Sequence, residues 1–420
     1  MLDVRFLNHA CFIYEGDGIK IVCDPWFQDE VFNGSWTLLK ETPDMCKELE
    51  DVTHICISHE HPDHLHFGTL RQILARSKST PKLIFPKRSN AFVKSSIRKI
   101  GFETVFIERS GEKLWVSEDV SIAYFGERSG HDNTIVIDTP DGTIINQNDH
   151  YTPKNLVKSI KAQYKNIQYF FTQFSLAGYY GNRDDPQKIK NDGTEFHLSR
   201  LLEYSIEFAA KVTVPFASYV YFSHEYNKYL NEHIVSPKRV HSELTRHNIP
   251  HQIVWYGDKI LVDQQERDLA NKSALDKLLG LFDISNNKFN CAEVVSAALL
   301  AEKLEKRLNK IGALKRSLIT FGLILRTFLK GQTSAPALLV FFEDTQEALC
   351  VNLITGEAKV SCNANWSKAD LICVSSHFEF MIKMPFGADT FNIAACHMIK
   401  NAKGEFIQHL LFLSNRDHYA

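Results

Sequence analysis

The run Asp51-Val52-Thr53-His54-Ile55-Cys56-Ile57-Ser58 passes directly into His59-Glu60-His61-Pro62-Asp63-His64, and this junction constrains the fold more than any other stretch of the chain. The first segment reads as a buried strand. The following HLHFGTLRQILARS reads as a helix, with Leu65, Leu70, Ile73 and Leu74 at helical spacing. His59 and His61 are two residues apart, so an extended backbone points both imidazoles to one side. Pro62 stops the strand, and Asp63 and His64 then open the helix and face back toward the same spot. Four ligands suited to a borderline divalent metal thus meet at the C-terminal end of a strand, where α/β folds place their sites. A helix N-cap role would account for Asp63 alone. It leaves the histidines unexplained.

At 420 residues the chain exceeds what one ordinary core holds, so two domains are expected. With 44% hydrophobic and 23% charged residues it has the make-up of a soluble globular protein. A formal net charge of -2 gives no footprint for nucleic acid or an anionic membrane. The opening MLDVRFLNHACFIYEGDGIKIV alternates like a strand and has no basic stretch followed by an apolar one, so export by a leader is not expected. The longest apolar runs, such as 319–325 and 338–342, are too short to span a bilayer. Nine cysteines without a CxxC pair point to reduced, mostly core thiols in a cytoplasmic protein.

Two hairpins are legible, CFIYEGDGIKIVCDPW turning at Gly16-Asp17-Gly18 and NTIVIDTPDGTIINQND turning at Asp141-Gly142. Further strands are PKLIFP, ETVFIE, VSIAYF, IQYFFTQF and KVTVPFAS, with helical stretches PKNLVKSIKAQYK and EFHLSRLLEYSIEFAAK among the last of them. Two sheets covered by helices bury this pattern economically. Near residue 265 the character changes to polar and then amphipathic helices, followed by APALLVFFED, EALCVNLI, EAKVSC and DLICVSS. The expected domains are therefore 1–265 and 266–420.

With HxHxDH after a buried strand, and opening strands that lead to Asp24-Pro25-Trp26, the chain resembles the metallo-β-lactamase superfamily. The resemblance implies an αββα sandwich, here with a smaller α+β C-terminal domain. It also implies a dinuclear site, with His59, His61 and His131 on one metal, Asp63, His64 and His224 on the other, and Asp149 between them. His150 is a rival for Asp149, and His233 and His241 are rivals for His224. His54 reads as a strand histidine and His66 as an exposed helix residue. His9 is expected near the metal rim, where it could protonate a leaving group, so it and Asp63 are the catalytic candidates. The implied cofactors are two divalent ions, zinc first, with iron or manganese as alternatives. The implied reaction is attack of a bridging hydroxide on an ester, amide, lactone or phosphoester.

YFFTQFSLAGYYGN and VPFASYVYFSHEYNKYLNE narrow the resemblance to the catalytic half of the CMP-N-acetylneuraminate hydroxylase family. That family carries a Rieske iron–sulfur domain, which pairs a Cys-x-His with a Cys-x-x-His, and this chain has no Cys-x-His. A diiron oxygenase reading therefore needs a separate electron donor, and a non-catalytic binding protein is the third alternative. The stretch SLAGYYGNRDDPQKIKNDGTEF reads as a loop over the site, with Tyr179, Tyr180 and Arg183 as substrate contacts. The segment from WSKADLICVSSHFEFMIKMPFGADTF onward resembles a sterol-carrier-protein-2-like module. Phe378, Phe380, Met381, Met384 and Phe386 would then line an apolar tunnel or pack against the first domain. The expected partner is a small molecule, acylated or nucleotide-sugar-like. A homo-oligomer is compatible with all these readings.

Overall fold

Alternating apolar residues set the layers of the first domain. Ile135 and Ile137 point into a core between two sheets while Val136 points out to helices, and Ile144 and Ile145 divide the same way. The computed structural model describes residues 2–16, 18–87, 91–127, 132–285, 287–291, 293–329, 335–362 and 365–414. One six-stranded sheet takes its strands in chain order: Asp3–Asn8, Cys11–Gly16, Ile19–Cys23, His54–Cys56, Lys82–Pro86 and Glu103–Ile107. The other takes them in reverse: Val212–Phe216, Ile167–Gln173, Gly142–Asn148, Thr134–Thr139, Ser121–Phe125 and Lys113–Trp115. Phe12 and Phe171 stack at 4.3 Å between the sheets. Helices Phe67–Arg76 and Ala91–Ile100 cover the outer face of the first sheet. Helices Lys154–Gln163 and Phe196–Phe208 cover that of the second. The result is an αββα sandwich, and both hairpins sit where the sequence places them.

The helix after the histidine stretch starts later than the spacing implies. Residues 62–64 form a turn closed on the His61 carbonyl, which accepts from His64 N at 3.0 Å and Leu65 N at 2.7 Å. The helix begins at Phe67, capped by buried His66, whose Nδ1 accepts from Thr69 N at 3.1 Å. His66 is thus a cap and not an exposed helix residue.

Helix Gln264–Leu279, just beyond the expected boundary, packs Ala274 and Leu278 into the inter-sheet core. The second core gathers from Ala297 and Leu300 onward, around a five-stranded sheet ordered Ala358–Val360, Glu347–Asn352, Ala337–Phe342, Leu371–Cys373 and His397–Ile399. The two domains are fastened by buried and part-buried polar contacts. Asn182 bonds both backbone groups of Ile399, at 2.8 and 2.9 Å, and Asn227 Nδ2 donates to the carbonyls of Ser35 and Ala394 at 2.9 Å each. All nine cysteines are free thiols, six of them buried. Among the described residues no helix is long and apolar enough to cross a membrane.

Candidate metal centre

Parallel pairing brings the C-terminal ends of Ile19–Cys23 and His54–Cys56 to one edge of the first sheet, with Cys23 beside Cys56. Asp24 follows the first of these strands and His59 to His64 follow the second. In the facing sheet Gly142–Asn148 delivers Asp149, and Asp132 and Asn133 precede the antiparallel Thr134–Thr139 at the same end. His9 lies at this edge, in the turn that joins Asp3–Asn8 to Cys11–Gly16. Three residues here hold left-handed backbone without being glycine: His9 at φ 39°, Asp24 at 43° and Asn148 at 47°. Such conformations cost about 1–3 kcal/mol each and gather at functional sites. The His9 turn is held by its carbonyl, which accepts from Ala217 N at 2.8 Å.

The hydrogen bonds fix which face of each imidazole looks inward. Ser58 donates its hydroxyl to Asp24 Oδ2 at 2.7 Å, so its oxygen accepts from His59 Nδ1 at 3.0 Å. Asp24 Oδ2 accepts from His64 Nδ1 at 3.0 Å, and Asp389 Oδ2 accepts from His61 Nε2 at 2.8 Å. In the neutral rings the remaining nitrogens, His59 Nε2, His61 Nδ1 and His64 Nε2, are lone pairs. Without an ion, and against burial, Asp389 lifts His61 to about 10 and Asp63 lifts His64 above the usual imidazole range, so a proton stands where an ion would. Yet His59 Nε2 and His61 Nδ1 lie 2.8 Å apart. His64 Nε2 faces Asp63 Oδ2 at 3.3 Å and Asp149 Oδ2 at 3.6 Å, and His59 Nε2 is 3.5 Å from the same Asp149 oxygen. Donor atoms converging in this way on a buried space are suited to holding cations between them.

The residues therefore fit a pair of divalent ions. His59, His61 and Asp132 form one group of donor atoms, His9, Asp63 and His64 another, and Asp149 joins His59 to His64 between them. Asp63 Oδ1, Asp149 Oδ1 and His9 Nδ1 are buried without a hydrogen-bond partner, as expected of groups shaped for ions. Burial takes His59 down to about 3, which keeps it a neutral donor. Against burial, which would raise it, His64 and His9 hold Asp63 well below the usual carboxylate range.

His59, His61, Asp63, His64 and Asp149 come together as the sequence implies, and His9 joins them more closely than a rim residue, with Nε2 3.3 Å from Asp63 Oδ2. His131 lies outside the described residues. His224 is placed elsewhere. Strand Val220–Phe222 pairs with Trp36–Leu38 and carries His224 toward the second domain, where it forms a buried group with His377 and Cys396. Its Nδ1 accepts from Tyr226 N at 3.3 Å, and its ring meets His377 edge-on at 4.9 Å. The rivals resolve as well: His150 Nδ1 bonds Thr134 Oγ1 at 2.9 Å, and His241 pairs with His251 at 2.8 Å. Tyr180 bonds His197 at 2.6 Å, whereas Tyr179 stacks on His397 and Arg183 pairs with Glu343, both in the second domain. Asp132, Ser58 and Asp389 were not singled out from sequence. Asp132 had a local signal, an acid next to a strand start, but Asp389 is 328 residues from its partner and had none.

Residues 3–133 match the model of the Beta-lactamase superfamily domain. Cytidine monophosphate-N-acetylneuraminic acid hydroxylase of Mus musculus is 24% identical over 242 residues, which is 55% of this chain and 41% of that protein. Among solved structures, a metallo hydrolase of Ignicoccus hospitalis aligns with a TM-score of 0.43 and 14% identity, covering 62% of this chain and 98% of that one. CmlA, a diiron β-hydroxylase of Streptomyces venezuelae, aligns with a TM-score of 0.42 and 13% identity, covering 62% and 54%. The chain thus spans less than half the length of the hydroxylase it matches. Over its first part it carries the αββα metallo-β-lactamase fold, and its sequence there resembles the CMP-N-acetylneuraminic acid hydroxylases.

Proposed function

We propose that this chain is a dinuclear metal-dependent hydrolase acting on a small molecule with an ester, amide, lactone or phosphoester centre. The observation that carries the reading is the set of inward lone pairs. Three imidazoles have their outer nitrogens tied down by Ser58, Asp24 and Asp389, and their inner nitrogens meet three carboxylates. When bound, two divalent ions supply Lewis acidity toward a carbonyl or phosphoryl oxygen and lower the pKa of water. His59, His61 and Asp132 would hold one ion, and His9, Asp63 and His64 the other, with Asp149 shared. Asp63 and Asp149 are then engaged as ligands and do not serve as free bases. Tyr180, on the long loop and hydrogen-bonded to His197, is assigned to orienting substrate.

A second reading, a diiron hydroxylase supplied with electrons by a separate donor, has its own support. Asp132 Oδ1 stands 4.0 Å from His59 Nε2, so a carboxylate joins the histidine pair, and carboxylates suit iron in oxygen chemistry. The sequence likeness to hydroxylases points the same way. Metal analysis of protein purified without oxygen separates the two. Two zinc or manganese ions per chain with hydrolysis of activated esters supports the first reading, and two irons with oxygen uptake on reduction replaces it by the second.

A groove of ≈ 310 Å³ runs between the domains beside the histidine turn, lined by Phe32, Leu65, Phe67, Phe380 and Phe386 among others. It supports a substrate with an apolar portion, in keeping with an acylated molecule. Phe378 and Met381 are consumed in the second core, so that part of helix Ser375–Lys383 packs and does not line a tunnel.

A further inference from the structure

We infer that the second domain completes the metal centre, with Asp389 as the positioning residue that fixes the ring of His61. The inference rests on the two-ion reading above and assigns a role that the first domain alone does not fill. Of the three histidines in the HEHPDH stretch, His59 and His64 take their outer hydrogen bonds from Ser58 and Asp24 of the first domain. His61 takes its own from across the domain interface, Nε2 donating to Asp389 Oδ2 at 2.8 Å. A carboxylate at that position holds the proton on Nε2 and leaves Nδ1 as the lone pair facing His59 Nε2. Phe32 packs edge-on against the same ring at 5.9 Å, so the imidazole is constrained on a second side.

The aim of Asp389 is built into the fold. It lies in the first turn of helix Gly387–Ala394. Gly387 sits so close to the preceding helix that a Cβ there would come within 2.5 Å of the Phe380 carbonyl oxygen and 2.7 Å of Met381 Cα. The second domain also grips this turn through Gln408, which donates to the Ala388 carbonyl at 3.1 Å. At its far end the helix is fastened to the first domain. Tyr179 N donates to the Asn392 carbonyl at 3.1 Å, and Asn227 Nδ2 donates to that of Ala394 at 2.9 Å. Both ends being tied, the register of Asp389 against His61 is set by the interface as a whole. The competing account is a half-exposed ion pair between the domains that serves docking alone, a kind of contact that contributes little.

The test uses the full chain, stripped with a chelator and titrated with Zn²⁺, in wild type, Asp389→Ala and Asp389→Asn. Thermal unfolding of the metal-free forms is read alongside. Asp389→Ala is expected to weaken one of two Zn²⁺ ions about 10- to 100-fold while the other binds as in wild type. Asp389→Asn keeps an oxygen that accepts from Nε2, so it should recover most of that loss. The metal-free variants should melt close to wild type. Two ions bound with wild-type affinity in Asp389→Ala would overturn the inference and leave the two-ion reading intact. So would a parallel weakening of both ions together with a lowered melting temperature of the metal-free form, which marks a docking role. A wild-type chain that takes up no Zn²⁺ overturns the reading and the inference with it.

Discussion

A buried imidazole whose Nδ1 has no partner and whose Nε2 meets a carboxylate, as in His9 beside Asp63, is stable only if something else occupies the space it faces. Burial lowers the pKa of His9, so its neutral form is favoured and it is ready as a donor to an ion. His9→Ala should therefore weaken the ion held by Asp63 and His64, read as zinc lost on dialysis against a mild chelator. His224→Ala should leave the zinc content unchanged and lower the stability of the interface. Retention of both ions in His9→Ala, with loss in His224→Ala, would reverse the two assignments. Asp149→Ala should bring metal content from about two ions toward one, since a shared ligand holds both; unchanged stoichiometry would remove Asp149 from the centre. The ligands that are contiguous in the chain were readable because local spacing sets their geometry. His9 was readable only as a rim residue, since its closeness to Asp63 depends on a left-handed turn at φ 39° that the sequence does not announce.

At the scale of elements, hydrophobic alternation carried the reading. Ile135, Ile137 and Val136 sort to opposite faces as a period of two demands, and the hairpins follow from their turn residues. What alternation does not carry is the fate of segments whose environment is tertiary. The histidine turn closes on one carbonyl where helical spacing implied a helix, and the strand Val220–Phe222 is steered by Trp36–Leu38, distant in sequence. The inter-sheet core gives the fold its rigidity at the metal edge, because both sheets must hold their separation for the two groups of ligands to face each other. Phe171, fully buried and stacked on Phe12, lies at the middle of that separation. Phe171→Ala should cost about 3–5 kcal/mol, measured as a shift in the urea midpoint of metal-free protein. A shift worth under about 1 kcal/mol, the level of a volume-conserving swap, would mean the sheets repack without it.

At the scale of the molecule, the interface carries titratable groups that make domain docking sensitive to acid. His377 is buried there, with Ser35 Oγ at 2.7 Å from its Nε2, and burial takes it down to about 3. His397, stacked between Tyr179 and Phe391, is likewise brought down to about 3 by burial. In the unfolded chain these imidazoles titrate near 6.5. Above that pH neither state holds the extra proton, and the groups contribute nothing to the pH dependence. Between about 6.5 and about 3 the unfolded state binds protons that the folded state refuses, so stability falls as pH falls, by up to about 1.4 kcal/mol per pH unit for each group. In thermal unfolding of metal-free protein these two groups thus add a destabilising slope only below pH 6.5. His61, which against burial Asp389 lifts to about 10, contributes with the opposite sign between about 10 and 6.5 and is common to wild type and the variant below. His377→Gln removes one such proton, so its melting temperature should start lower at neutral pH, through the lost bond to Ser35, and then fall less steeply than wild type. Parallel curves for the two proteins would show that His377 takes up its proton without leaving the folded interface, and that the acid sensitivity resides in other buried histidines such as His251, which burial lowers to about 4.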